Sequence, residues 1–342
     1  MLREEFMKLL KFLVIGLLGL AVVVVAGSFL LASSVSMERS IVIDRPASVV
    51  YPLVSDYRRF NEWSPWAELD PATTYELSSP TNAVGSKFAW SSNDPSVGKG
   101  SQTITALTPN QRVETALDFG DQGQANSYVQ LSAEGAGTKV NWGFKSDLHG
   151  IVERWFGLLI PSMVAPDYEK GLAKLKQVAE ALPNVDVSKA TVETVDLSPL
   201  PAYAIAAEAG VDAASSTEVL TAAYGEILTF MAANGIQQAG PVYTKILGHS
   251  GDTWRFEASI PAIQNDAAPT GRIVATQSFG GKALRFEHVG SYDDLAKTHA
   301  LAEAYLAVHK LTEVGSRYEI YVSDPANTPV EQLQTQILVP FE

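Results

Sequence analysis

From Phe12 to Ala32 the chain runs FLVIGLLGLAVVVVAGSFLLA, 21 residues without a charge. A helix crossing the hydrocarbon core of a bilayer takes about 20 apolar residues, whereas the apolar part of a secretory leader is roughly 7–15. The run is therefore expected to be a transmembrane signal-anchor helix over residues 12–32, so that 1–37 form a short stub and the span. Small residues follow it (LASSVS), which keeps a cleaved leader as the alternative. Arg3, Lys8 and Lys11 precede the run, and Arg39 and Arg45 follow it. This slight bias favours an N-terminus in the cytoplasm, with the rest of the chain outside a bacterial inner membrane.

A chain of 342 residues with 46% hydrophobic side chains has room for two domains with real cores. Its net charge of -13, without any basic run, argues against nucleic acid as a partner, because phosphate contacts need clustered Lys and Arg. The chain has no cysteine, which excludes disulfides, thiol catalysis and zinc–thiolate sites. No cofactor is expected.

After the span, RSIVID reads as a strand and ASVVYPLVSDYRRF as a helix begun by Pro46, whose missing N–H costs little in a first turn. The loop NEWSPWAELDP follows, in which Trp63 and Trp66 are expected to anchor the chain against a sheet. Alternating runs come next (GSKFAWSS, QTITALTP, RVETALDF, SYVQLSAE, TKVNWGFKSDL), with a hairpin expected at Gly135–Gly137. A long helix is expected over about 151–182, kinked or divided between Ile160 and Pro166, with Leu172, Leu175, Ala179 and Leu182 on one apolar stripe. The strand–Pro–helix opening, both tryptophans, the spacing of Gly85, Trp90 and Gly100, and the terminal helix resemble the polyketide cyclase/dehydrase branch of the START-like helix-grip superfamily. The resemblance covers 38–182 and implies a curved antiparallel sheet gripping one long helix around a cavity. It does not specify a function.

PNVDVS lies in the polar joint 183–190, and a second unit spans 191–342. Gly240-Pro-Val-Tyr243 and Gly315-Ser-Arg-Tyr318 lie 75 residues apart, and Leu220/Leu295 and Phe230/Tyr305 keep that offset. Each half reads strand, helix, strand, strand. Capping boxes are expected at Ser215 with Glu218 and at Ser291 with Asp294. Two such halves make one sheet about a pseudo-two-fold axis, with a groove where they meet. FEHVGSYDDL and YEIYVSDPANTPVEQLQTQILVPF resemble the gyrase-inhibitor-like effector-binding family. That resemblance implies that Glu319, in the E-x-Y strand, lies on the groove floor and faces cationic aromatic ligands. Relatives that regulate transcription carry a helix-turn-helix; this chain carries a helix-grip region and a span instead.

The expected fold is thus α+β throughout: transmembrane helix, helix-grip domain, then the duplicated β-α-β-β domain. Alternation puts Glu319 and Tyr321 on one face of the strand SRYEIYVSDP, with Tyr318, Ile320 and Val322 on the other. The expected ligand-binding residues are Glu319, Tyr321, Tyr243 and Tyr318. Against this stands the plainer possibility of a solvated strand face. His299 and Glu303, four apart on a helix, are too few for a metal site. His288 is expected to shape a strand-to-helix turn. The leading expectation is binding of small hydrophobic or cationic molecules; the resemblance implies two alternatives, hydrolysis of strained electrophiles with Glu319 and Tyr243 as catalytic candidates, and interaction with a protein partner.

Overall fold

The computed structural model describes residues 2–263 and 267–342. Its contacts divide the chain into two units, Met1–Asn184 and Val185–Glu342.

In the first unit the helix α1 covers Leu2–Ser28, and its apolar stretch is Leu10–Ser28, exposed as far as Ala26, with Gly27 half-buried and Ser28 buried. The expected span over 12–32 is corrected at its end. The N–H groups of Phe29, Leu30 and Leu31 turn back to carbonyls three residues earlier, and the chain enters β1 (Ser34–Ile43) by Ser34. The strands β2 (Thr74–Leu77), β3 (Lys87–Ser91), β4 (Lys99–Thr108), β5 (Arg112–Asp118), β6 (Gln124–Glu134) and β7 (Gly137–Asp147) complete an antiparallel sheet. Its order is β1-β7-β6-β5-β4-β3-β2. The β6–β7 hairpin turns on Gly135, whose φ of 60° favours glycine. Helices α2 (Ala47–Ser55) and α3 (Tyr57–Trp63) follow β1, while α4 (Ile151–Gly157) and α5 (Ile160–Glu180) follow β7.

The long helix divides at Leu158–Leu159, ahead of the expected 160–166 break. Pro161 falls in the first turn of α5, where a missing N–H is tolerated, and Pro166 stays inside the helix. Val140, Trp142 and Phe144 alternate inward from β7 and meet Leu172, Leu175 and Ala179 of α5 in the core. Full burial of such side chains stabilises by about 1.5–3 kcal/mol each.

The second unit consists of β8 (Val192–Leu197), β9 (Pro201–Gly210), α6 (Ala213–Ala233), β10 (Tyr243–Ser250), β11 (Thr253–Pro261), β12 (Val274–Gln277), β13 (Gly281–Val289), α7 (Leu295–His309), β14 (Tyr318–Tyr321) and β15 (Gln334–Pro340). The sheet order is β12-β9-β11-β10-β14-β15-β13-β8. Within it, β9-β11-β10 and β14-β15-β13 mirror one another about the β10–β14 pair, so the duplication read from the 75-residue offset is a real pseudo-two-fold.

Helix α6 packs on β9 and β11, and α7 packs on β13 and β15. Their cores centre on Phe256 with Ile227 and on Phe286 with Ile337. The capping expectations need correction. Asp212 caps α6 by accepting from the Ser215 N–H at 2.9 Å, while Ser215 Oγ accepts from Gly210 N–H. Ser291 caps a 3-10 turn, Tyr292–Asp294, that precedes α7.

Candidate functional site

In the second unit the two helices pack on β9 and β11 and on β13 and β15, and leave β10 and β14 between them. Over that central pair lies a groove of about 1470 Å³. The β10–β14 register sets Thr244 opposite Glu319 and Tyr243 opposite Ile320. Directly opposed residues share a face, and neighbours along a strand alternate. Glu319, Tyr321 and Thr244 therefore face the groove. Tyr243 and Tyr318 are carried to the opposite face, where their rings lie 6.1 Å apart. The expectation that all four tyrosine and glutamate positions meet in one groove is corrected by this parity. Burial, eased by a hydrogen bond with Ser259, pushes the Tyr243 phenol up to about 12.

Glu319 lies on the groove floor, 7% exposed. Its Oε1 accepts from His299 Nε2–H at 2.8 Å, and its Oε2 accepts from Tyr321 O–H at 2.7 Å. Thr244 Oγ1 donates to Tyr321 Oη at 3.3 Å, which leaves the 2.9 Å contact between Tyr224 and Thr244 to be donated by Tyr224. One directed chain of hydroxyls thus ends on the carboxylate.

Burial raises the phenols of Tyr321 and Tyr224 well above their ordinary range. The Glu319 charge adds to this in both, so they remain donors at neutral pH. Tyr224 and Tyr292 stand edge-on to the Tyr321 ring at 6.4 and 5.5 Å and form an aromatic wall. The groove lining is acidic: Asp212, Asp293, Glu303, Glu313, Glu319 and Asp324 face it, against the single guanidinium of Arg317. Arg317 is itself paired with Glu313 at 2.7 Å.

Tyr224 and His299 were not expected at the site as ligand contacts. Both were within reach of the repeat: Tyr224/His299 and Thr244/Glu319 each differ by 75 residues, the same offset that relates Tyr243 to Tyr318. The two halves supply equivalent positions, and the second half has replaced a tyrosine and a threonine by a histidine and a glutamate. His288 bonds Thr298 Oγ1 at 2.8 Å and the Ser291 carbonyl at 3.0 Å, a turn role.

The first unit has a smaller cavity, about 310 Å³, walled by Trp63, Trp66, Phe88, Trp90 and Phe119. Trp63 donates to the Leu53 carbonyl at 2.8 Å, and Trp142 stacks on Tyr168 at 3.8 Å. Gly100 lies directly opposite Trp90; a Cβ there would come within 2.5 Å of the indole, so glycine lets the ring lie across the strand. Two polar atoms in this wall are buried without a partner, Tyr57 Oη and Gln102 Nε2.

Residues 34–180 match the family described as polyketide cyclase/dehydrase and lipid transport, and residues 210–342 match the GyrI-like small molecule binding domain. No curated protein matches the chain. Similar solved structures include the C-terminal domain of EcmrR, 16% identical, covering 45% of this chain and 98% of that one with a TM-score of 0.41. An EcmrR–DNA complex is 16% identical, covering 56% and 71%, with a TM-score of 0.42. A hydrolase from Listeria innocua is 15% identical, covering 44% and 91%, with a TM-score of 0.35. The chain therefore joins a domain of the polyketide cyclase/dehydrase type to a following domain of the GyrI-like type, two kinds of small-molecule-binding domain in series.

Proposed function

We propose that this protein is a membrane-anchored small-molecule binder whose second unit takes planar organic cations in the groove over Glu319. One observation carries the reading: a buried carboxylate hydrogen-bonded by a histidine and a tyrosine, on the floor of an aromatic, acid-lined groove. Desolvating a carboxylate is costly unless a cation or donor compensates, and tyrosine faces attract cations. The contacting residues are Glu319, Tyr321, Tyr224 and Tyr292. The aromatic cavity of the first unit takes an apolar molecule bearing one hydrogen-bonding group. The apolar helix α1 anchors the chain, with both units outside the cytoplasm. Active alkaline phosphatase fused to the C-terminus is the expected sign of that sidedness; an inactive fusion reverses it.

The test of the groove is Glu319→Gln, titrated with an aromatic cation and with a neutral aromatic of similar size. A hydrogen bond to a charged group is worth about 1.5–3 kcal/mol, so the cation should weaken roughly 10- to 150-fold. The neutral ligand should change little. Equal cation affinity in both proteins overturns the reading.

A second reading, hydrolysis of a strained electrophile, has support from the contact of Glu319 with both His299 and Tyr321. Glu319 would activate water, and Tyr321, rather than the distant-facing Tyr243, would be the proton donor. Turnover by the native protein that is lost in Glu319→Gln favours this reading over binding alone.

A further inference from the structure

Helix α4 exposes apolar side chains along one side. Val152 is 80% exposed, and Phe156 continues the stripe one turn on; Leu158 and Leu159, in the joint between α4 and α5, are exposed as well. The polar residues of the same helix are occupied elsewhere. Glu153 accepts from the backbone N–H groups of His149 and Gly150, and Arg154 donates to the Ser28 carbonyl at 3.2 Å.

The position of this stripe is fixed by α1. Trp155 Nε1 donates to the Val24 carbonyl at 3.0 Å, and its ring lies so close over Gly27 that a Cβ there would sit 2.8 Å from it. Val24 is four residues before the end of α1, about 6 Å along the helix axis. Phe29 and Leu30, at the turn that ends α1, are also exposed, Leu30 to 89%.

We propose that the apolar side of α4, with Phe29 and Leu30, is embedded in the lipid surface beside the span. This rests on the reading of α1 as a membrane anchor. Given that reading, the occupant follows from continuity. The last turn of α1 leaves the hydrocarbon where Trp155 is bonded to it, and tryptophan is the side chain enriched at that depth. Val152 and Phe156, with Leu159 in the joint that follows, extend the same apolar surface sideways, as an interfacial helix does. Strand β1 then runs its ten residues away from this end, so the β6–β7 hairpin that pairs with its far end is roughly 30 Å off. The first unit is thereby held to the membrane at two places, by the span and by α4, with its orientation fixed.

The natural absence of cysteine makes the test direct. Single cysteines at Val152→Cys, Val14→Cys and Ala136→Cys in the full chain are each spin-labelled and reconstituted in vesicles of phosphatidylethanolamine and phosphatidylglycerol. The label at 152 is expected to behave like the one at 14, relaxed by oxygen and shielded from a water-soluble nickel chelate. The label at 136 should show the reverse. A label at 152 that matches 136, with 14 still in lipid, overturns the proposal and leaves the anchor standing. A label at 14 that matches 136 overturns the anchor and this proposal together.

Discussion

Thr244 and Glu319 are equivalent residues of the two halves of the second unit, and they face each other across its central strand pair. The pseudo-two-fold thereby places one neutral and one acidic member at the same point on the groove floor. Tyr224 and His299 stand above them in the same relation, each bonded to its own half's residue. The site is a duplicated pair in which one half carries the charge.

On the proposed reading, His299 is the group a cation displaces or shares. In His299→Ala, Glu319 loses one of its two donors, a loss that costs about 1–3 kcal/mol when the acceptor stays buried. A bound cation restores the partner. The variant should therefore unfold more easily when empty and bind an aromatic cation roughly 5- to 150-fold more tightly. Calorimetric titration and thermal unfolding with and without ligand measure both. Weaker cation binding by the variant would make His299 a direct ligand contact.

Much of this fold was legible because it rests on periodicity. The apolar run, the alternating strands, the Leu172–Leu175–Ala179 stripe and the 75-residue offset all survive in the structure. The helix ends were less legible, because local competition decides them: Asp212 takes the cap that Ser215 could have taken, and α1 stops at Ser28 although apolar residues continue. At the groove, the motif singled out Glu319 and Tyr321, which lie two apart on one face. The repeat, which brought in Tyr243 as the mate of Tyr318, points to the other face, because strand neighbours alternate and only one parity enters the groove. Applying the same offset to Glu319 itself leads to Thr244, and applying it to His299 leads to Tyr224. The cavity of the first unit was not legible in its polar atoms, since the pairing of Gln102 or Tyr57 depends on what the rest of the sheet brings near them.

Acid should reveal Asp56. Burial pushes its carboxyl up, but hydrogen bonds from the Arg58 guanidinium, Thr81 and the Arg58 N–H outweigh this and hold it below the ordinary value. A depressed folded value means that its stabilisation is complete above the unfolded carboxyl range, about pH 4, and is lost as pH falls through the folded value. Arg58 is 45% exposed, so solvent screening reduces the pair to about 1 kcal/mol. Asp56→Asn should lose about that much near pH 7, and its deficit should shrink below about pH 4. Urea unfolding of the detergent-solubilised chain at the two pH values checks this; a deficit independent of pH would locate the effect in the helix cap alone.

The two units should fold separately. Each has its own closed hydrophobic core, and the joint between them is short and polar. Residues 34–184 and 185–342, expressed alone, should each unfold in one cooperative transition followed by circular dichroism. A fragment that shows no transition would mean that its core depends on the other.

Gln102 offers the sharpest test of the first cavity. Its buried Nε2 has no acceptor, and an unsatisfied buried donor costs about 1–3 kcal/mol. Gln102→Leu has similar bulk and removes that donor, so the empty protein should become more stable. Binding should move the other way. A ligand with a carbonyl able to meet Gln102 Nε2 gains a hydrogen bond that a hydrocarbon of the same shape does not. A long-chain methyl ketone should therefore bind the native protein about 2- to 10-fold more tightly than the matching alkane, as one neutral hydrogen bond allows, and the preference should vanish in Gln102→Leu. Tyr57→Phe provides the parallel variant, since the phenol oxygen is the other unpartnered atom in the wall. If both substitutions lower the stability of the empty protein and leave the ketone preference intact, these two atoms do not recognise the ligand.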